Sequence, residues 1–174
     1  MEIKATLEKP YTEEQRIDFI VENNHNLGYE IIETEVALEA WGKNDVELLE
    51  QAKEDKYQEA LTGARDYIEN EAAYQFDANN SIEATDGNIG KMTAYALGFQ
   101  TGTIETVAWT SKEDNILILN AEDVLRILTG LGEIQSVIWN IEFVNYKNAI
   151  DQSTTIEEVE AIEIIYTIPN ESEE

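Results

Sequence analysis

"TIETVAWTSKEDNILILNAEDVLRIL", residues Thr103–Leu128, holds two strands, a turn and the start of a helix in one stretch. Ile104–Thr110 is rich in β-branched and aromatic residues and Ile116–Leu119 is a short apolar run, so each predicts a strand. "SKEDN" between them offers side chains that stabilise reverse turns, which predicts a hairpin. Asn120 then stands where a helix N-cap is needed, with Glu122 and Asp123 in the first turn, where the positive end of the helix dipole favours acids. Prolines occur only at positions 10 and 169, leaving the rest of the chain free for long helices. The expected fold class is therefore α+β, mainly α: long helices with a small β-hairpin.

Downstream, the helix from Asn120 is expected to reach about Ile150. Gly130 and Gly132 each cost about 1 kcal/mol relative to alanine, so they predict a bend or a close approach. Trp139, Phe143, Tyr146 and Ile150 form an apolar stripe beside Ile134, Val137, Ile138, Ile141 and Val144. "STTIEEVEAI" restarts a helix with Thr154 and Glu157 as a capping box. After Lys147 the chain has eight acids and no base, and residues 169–174 read as an acidic tail.

Upstream, Asp86 to Leu97 predicts a helix with Met92, Tyr95, Ala96 and Phe99 packed, ended by Gly98 and Gly102. "FDANNSIEATDGN", residues 76–88, alternates polar with apolar side chains and predicts an extended or turn segment between two helices, with Thr85 or Asp86 capping the second. A long helix from Asp45 to about Tyr74, on the order of 45 Å, presents Leu49, Tyr57, Leu61, Ala64, Ile68 and Ala72 near one stripe. Thr12 and Gln15 form a capping box for a helix with Ile17, Ile20, Val21 and Leu27 on one face, closed by Gly28. "YEIIETEVALEAW" reads as a strand, and Gly42 with Asn44 punctuate the chain. Three parts result: a helix-strand module over 1–43, a helical domain with a β-hairpin over 44–168, and the tail over 169–174.

The 174 residues are 43% hydrophobic, enough for a core, and carry a formal net charge of −26. Such a polyanion disfavours direct binding to nucleic acid or to an anionic membrane. The N-terminus lacks the pattern of a secretion signal, and no membrane span is expected. There is no cysteine, and His25, the only histidine, sits near a helix C-terminus without a serine in a nucleophile-elbow pattern. "GNIGKMTAYALG" lacks phosphate-loop spacing. Oxygen-bearing side chains at Asp77, Asn79, Ser81, Glu83 and Thr85 evoke a calcium loop, but Ile82 stands where that loop needs glycine and Asn88 where it needs glutamate. No catalytic residue, cofactor or metal site is expected. The expected interaction residues are Tyr57, Leu61, Ile68, Trp139, Phe143, Tyr146 and Ile150, stripes that predict a homo-oligomer, a dimer or trimer.

Residues from about Lys56 to Ile162 resemble a domain of unknown function that recurs in proteins of tailed bacteriophages and prophages, often encoded near tail-fibre and host-recognition genes. The resemblance is carried by "YQEALTGARDYIENEAA", by Phe76 with "NNSIEATDGNIGKMTAYAL", by "VAWTSKEDNILILNAEDVLRIL" and by "YKNAIDQSTTIEEVEAI". "PYTEEQRIDFIVENNHNLGYEIIETEVALEAWG" is similar to short leaders of phage tail-associated proteins. The resemblance brings no catalytic residue with it. It implies a non-enzymatic protein of the tail-fibre or host-recognition apparatus, a virion connector or a fibre-assembly chaperone. Its partners would be other phage tail or fibre proteins, and its location the virion tail or the host cytoplasm during assembly. The alternative from the charge is an acidic inhibitor of a host defence protein, mimicking nucleic acid.

Overall fold

The computed structural model describes residues 1–168, so the acidic tail expected over 169–174 lies outside the described residues. Mainly helical α+β is the class observed, with three small antiparallel sheets where the sequence predicts one hairpin.

The chain divides into two compact units. Unit one comprises Met1–Glu54 with Thr154–Ile156, and unit two comprises Asp55–Ser153 with the described residues from Glu157 on. The division falls inside a helix rather than at residue 43. In unit one, β1 (Glu2–Glu8), β2 (Glu30–Glu33) and β3 (Ala37–Gly42) form a sheet in the order β1-β3-β2. Register puts Ala5, Ala40 and Ile31 in one row and Leu7, Leu38 and Glu33 in the next, on the same face. Leu38 and Ala40 on that face are buried. Helix α1 (Glu13–Ile20) starts at the expected Thr12–Gln15 capping box and continues as a π-helical stretch, Val21–Asn26.

Two sequence readings change in this unit. "YEIIETEVALEAW" is two strands, not one, because the Thr34 hydroxyl accepts from the Ala37 backbone at 3.0 Å and folds the chain back between them. "EIKATLE" is a strand that its alternating charges conceal.

Helix α2 (Asp45–Asn70) begins at a reciprocal cap, with the Asn44 side chain accepting from Glu47 N and the Glu47 carboxylate accepting from Asn44 N, both at 2.9 Å. It ends four residues before the expected Tyr74. Next come β4 (Ala73–Asp77) and β5 (Asn80–Glu83), a hairpin where the sequence predicts only an extended or turn segment. Helix α3 (Asp86–Gln100) is capped by Thr85 as expected and runs through Gly98. The expected hairpin is β6 (Val107–Thr110) with β7 (Ile116–Leu119), and Asn120 caps α4 (Ala121–Val137) with a full capping box. A π-helical turn, Ile138–Glu142, joins α4 to α5 (Phe143–Gln152), and α6 (Ile156–Glu160) follows. Gly130 marks close packing rather than a bend, since a Cβ there would lie 2.2 Å from the Tyr74 ring. One core gathers Ile82, Met92, Trp109, Leu119, Val124, Ile127 and Leu131; a second gathers Ala64, Ile68, Ile138 and Tyr166.

Candidate interaction site

The two stripes expected to meet another chain meet each other. Tyr57 stacks edge-on against Phe143 at 5.5 Å, and Phe143 against Trp139 at 5.6 Å. Trp139, Phe143 and Tyr146 pack on the core formed by Ala64, Ile68 and Ile138. Ile68 and Ile150 are buried, so neither presents surface to a partner, while Tyr57, Leu61, Trp139, Phe143 and Tyr146 are half-buried. Mutual burial of facing helix stripes removes apolar area from water within one chain, the same gain that association would give. Residues 164–166 complete the seam. The Tyr146 hydroxyl donates to Ile165 O at 2.6 Å, and the Tyr166 hydroxyl donates to Ala60 O at 2.8 Å. Burial, chiefly, pushes the Tyr166 hydroxyl well above the usual phenol range.

A polar cluster joins the two hairpins of unit two and explains the oxygen-rich stretch after Phe76. The Asp77 carboxylate accepts from Asn79 N at 2.8 Å and from the Asn80 side chain at 2.8 and 2.9 Å, which closes the β4–β5 turn. Those bonds, that to Asn79 foremost, hold Asp77 below the ordinary carboxylate range. Asn80 in turn accepts from the Asn115 side chain at 3.0 Å, and Ser111 donates to it at 3.3 Å. Glu113, at the tip of the β6–β7 turn, accepts from the Ser81 hydroxyl at 2.5 Å and from Ser81 N at 2.8 Å. The Ser81 hydroxyl and then its backbone hold Glu113 down to about 2. Asp114 takes the left-handed conformation at φ 62°, as the residue ending a type I turn does in a three-residue hairpin loop. Asn80, Ser81 and Ser111 are buried, and their bonds serve one another. The alternation is a hairpin fastening, and Glu83 and Thr85 lie apart from it in role, Thr85 as the α3 cap.

Sequence reasoning missed a third feature. Between the C-terminal half of α3 and the first turns of α4 lies an open cleft of about 530 Å³. Ala96, Leu97, Phe99, Ala121 and Leu125 line it, with Thr93 and Gln100 as its polar groups. Leu97 and Leu125, which both line it, are 57% and 56% exposed. Both walls are fixed from within. Gly98 lets Ile104 approach so closely that a Cβ would sit 2.3 Å from it, and the Thr101 and Thr103 hydroxyls each donate at 3.0 Å to carbonyls of the last α3 turn. The Asn120 capping box fixes the start of α4 opposite. A legible signal exists: residues 92–104 carry no charged side chain in a chain that is 28% charged.

His25 is exposed in the last turn of the π-helical stretch. Among the described residues no group of three or more His, Cys, Asp or Glu is placed to hold a metal ion, and no helix is long and apolar enough to cross a membrane. Comparison with protein families, with curated proteins and with solved structures finds no match to this chain.

Proposed function

We propose that this protein is a non-enzymatic component of a tailed-phage fibre or host-recognition apparatus, either a connector in the virion or a chaperone of fibre assembly. What best supports this reading is a coincidence of boundaries. The phage-like resemblance runs from about Lys56 to Ile162, and the second compact unit starts at Asp55 and includes Ser153 and the described residues from Glu157 on. Its quoted segments meet in one fold: the tryptophan of β6, the capped α4 and the β4–β5 hairpin share a core. A resemblance spread over unrelated surface pieces would lack that unity. In this reading the partners are other phage tail or fibre proteins, and the place is the virion tail or the host cytoplasm during assembly. Assembly into a closed cyclic dimer or trimer suits such a part, because an open head-to-tail contact would run on without end.

Mass spectrometry of purified particles and of complexes captured from infected cells tests the proposal. Recovery in particles supports the connector. Recovery with fibre protein in cells but not in particles supports the chaperone, and recovery in neither overturns both.

The second reading, an acidic inhibitor mimicking nucleic acid, draws on α2. Asp55, Glu59, Asp66 and Glu69 are exposed along one side of that helix, although Lys56 bridges Glu59 at 2.8 Å. A pull-down from host lysate at low salt, where attraction is strongest, should then recover a basic nuclease or repressor.

A further inference from the structure

We infer that the α3–α4 cleft docks a basic, apolar-anchored polypeptide segment: a helix or turn that inserts one or two large aliphatic side chains between Leu97 and Leu125, with lysines or arginines beside them. The inference rests on the cleft alone and stands or falls apart from the phage setting.

Three observations converge on that occupant. The lining is mostly apolar, with Thr93 and Gln100 as its polar groups, and it includes two leucines more than half exposed. The cleft is held open by its own architecture rather than by a neighbour, with the Gly98–Ile104 contact and two threonine hydroxyls on one side and a capping box on the other. A preformed site spends no ordering entropy on its own walls when it is filled. Finally, acids outnumber bases beside it, with Glu122 and Asp123 against Arg126 on the first turns of α4. Glu122 follows Ala121 and lies one turn before Leu125, and Glu105 follows Ile104; both are exposed. The neighbouring cations already have partners: Arg126, itself exposed, lies over the Phe76 ring at 4.5 Å and 3.6 Å from Asp123, and exposed Lys91 lies over Trp109 at 5.6 Å.

Charge also favours a cationic segment over a second copy of this chain in the cleft, because two bodies of formal charge −26 repel, a cost that a second copy meets at any interface, whereas a cationic segment is drawn in. Charge alone would bind a basic peptide anywhere on this surface. What distinguishes the cleft is the apolar anchor, which an amphipathic helix supplies at i and i+4.

The test uses the full chain and a fluorescent helical peptide bearing leucines at i and i+4 among lysines, read by anisotropy at physiological salt. Two control peptides replace the leucines by serine or the lysines by glutamate. Leu97→Glu and Leu125→Glu alter exposed positions, and thermal melts confirm that each variant folds. Each adds a negative charge, so purely electrostatic binding would tighten, whereas docking in the cleft should weaken by about tenfold or more. Both controls should bind at least about tenfold more weakly than the parent peptide. Absence of binding, equal binding by the serine peptide, or unchanged or tighter binding to either variant overturns the inference. So does sedimentation showing a homodimer that Leu97→Glu dissolves, which would give the cleft to a second copy.

Discussion

At Gly130 α4 has no room for a methyl group: a Cβ would stand 2.2 Å from Tyr74 Cδ2, while two residues on, at Gly132, nothing lies within 4 Å. Alanine should therefore have opposite effects at neighbouring glycines of one helix. Gly130→Ala should destabilise by about 1–3 kcal/mol, because the Tyr74 ring is packed against the core and has to move. Gly132→Ala should stabilise by roughly 0.5–1 kcal/mol, from helix propensity alone. Urea denaturation of the two variants decides both. The sequence shows that these glycines weaken a helix; which of them a ring fills is legible only once the β4–β5 hairpin is known. Glu113 makes the second residue-scale case. Its carboxylate is held down to about 2, against 4.5 for an ordinary glutamate, by Ser81. Between those values the unfolded chain binds the proton and the folded chain does not, so this contribution to stability is complete above pH 4.5 and lost as pH falls toward 2. Glu113→Gln should be less stable than the parent at pH 6, and the difference in melting temperature should shrink steadily below pH 4.5. A constant difference down to pH 2.5 would show that the Ser81 bonds do not depend on the charge. The turn itself could be read from "SKEDN", but the serine its glutamate holds lies 32 positions away and carries no local sign of the pairing.

Elements declare themselves when their ends do. The β6–β7 hairpin and α4 were legible because turn formers and an N-cap separate them, whereas α2 ends without glycine or proline: Glu71 N and Ala72 N both donate to Tyr67 O, at 2.9 and 2.8 Å, and β4 begins at once. The β4–β5 turn is likewise built from an aspartate side chain instead of an Asn-Gly pair, so the sequence reads as a polar connector. The long helix after Asn120 hides a different device. Phe143 N donates to Ile138 O, five residues back, so the turn Ile138–Glu142 holds one more residue than an α-helix would. That residue explains why Ile138 and Phe143 serve the same core while Ile141 and Val144 stay exposed. It also yields a test. Deleting the exposed Asn140 should restore regular α-helix with Phe143 four residues after Ile138, leave Tyr146 and Ile150 facing inward, and change stability by less than about 1 kcal/mol. Deleting the equally exposed Glu133 from the regular part turns every later side chain by about 100°. Ile134 and Ile138 would leave their cores, and the loss should exceed about 3 kcal/mol. Melting both deletions under one protocol checks the claim, and similar losses in the two would refute it.

For the whole molecule, apolar stripes and net charge pull association in opposite directions, and the fold changes which stripes count. Trp139 lies against Phe143 in the second core, so Trp139→Asp should lower stability by on the order of 3 kcal/mol and impair folding instead of releasing a stable monomer. The sequence could not decide this, because helical spacing shows that a stripe must be covered but not by what. Among the exposed apolar side chains are Ile17 and Val21 of unit one, one turn apart along α1 and its π-helical continuation and 51% and 44% exposed. If the chain forms the cyclic dimer or trimer proposed above, that face is a candidate seam. Repulsion between bodies of formal charge −26 opposes the contact and is screened within about 10 Å at 0.1 M salt, so the oligomer should tighten as salt is added. An interface held by ion pairs would loosen instead. Sedimentation at tens of micromolar chain, across salt concentrations, reads the direction directly. Ile17→Asp should leave the melting temperature nearly unchanged, since the residue is exposed, yet shift the population to monomer at every salt concentration. A parent chain that stays monomeric throughout would remove the oligomer, and an oligomer indifferent to Ile17→Asp would move its seam away from α1.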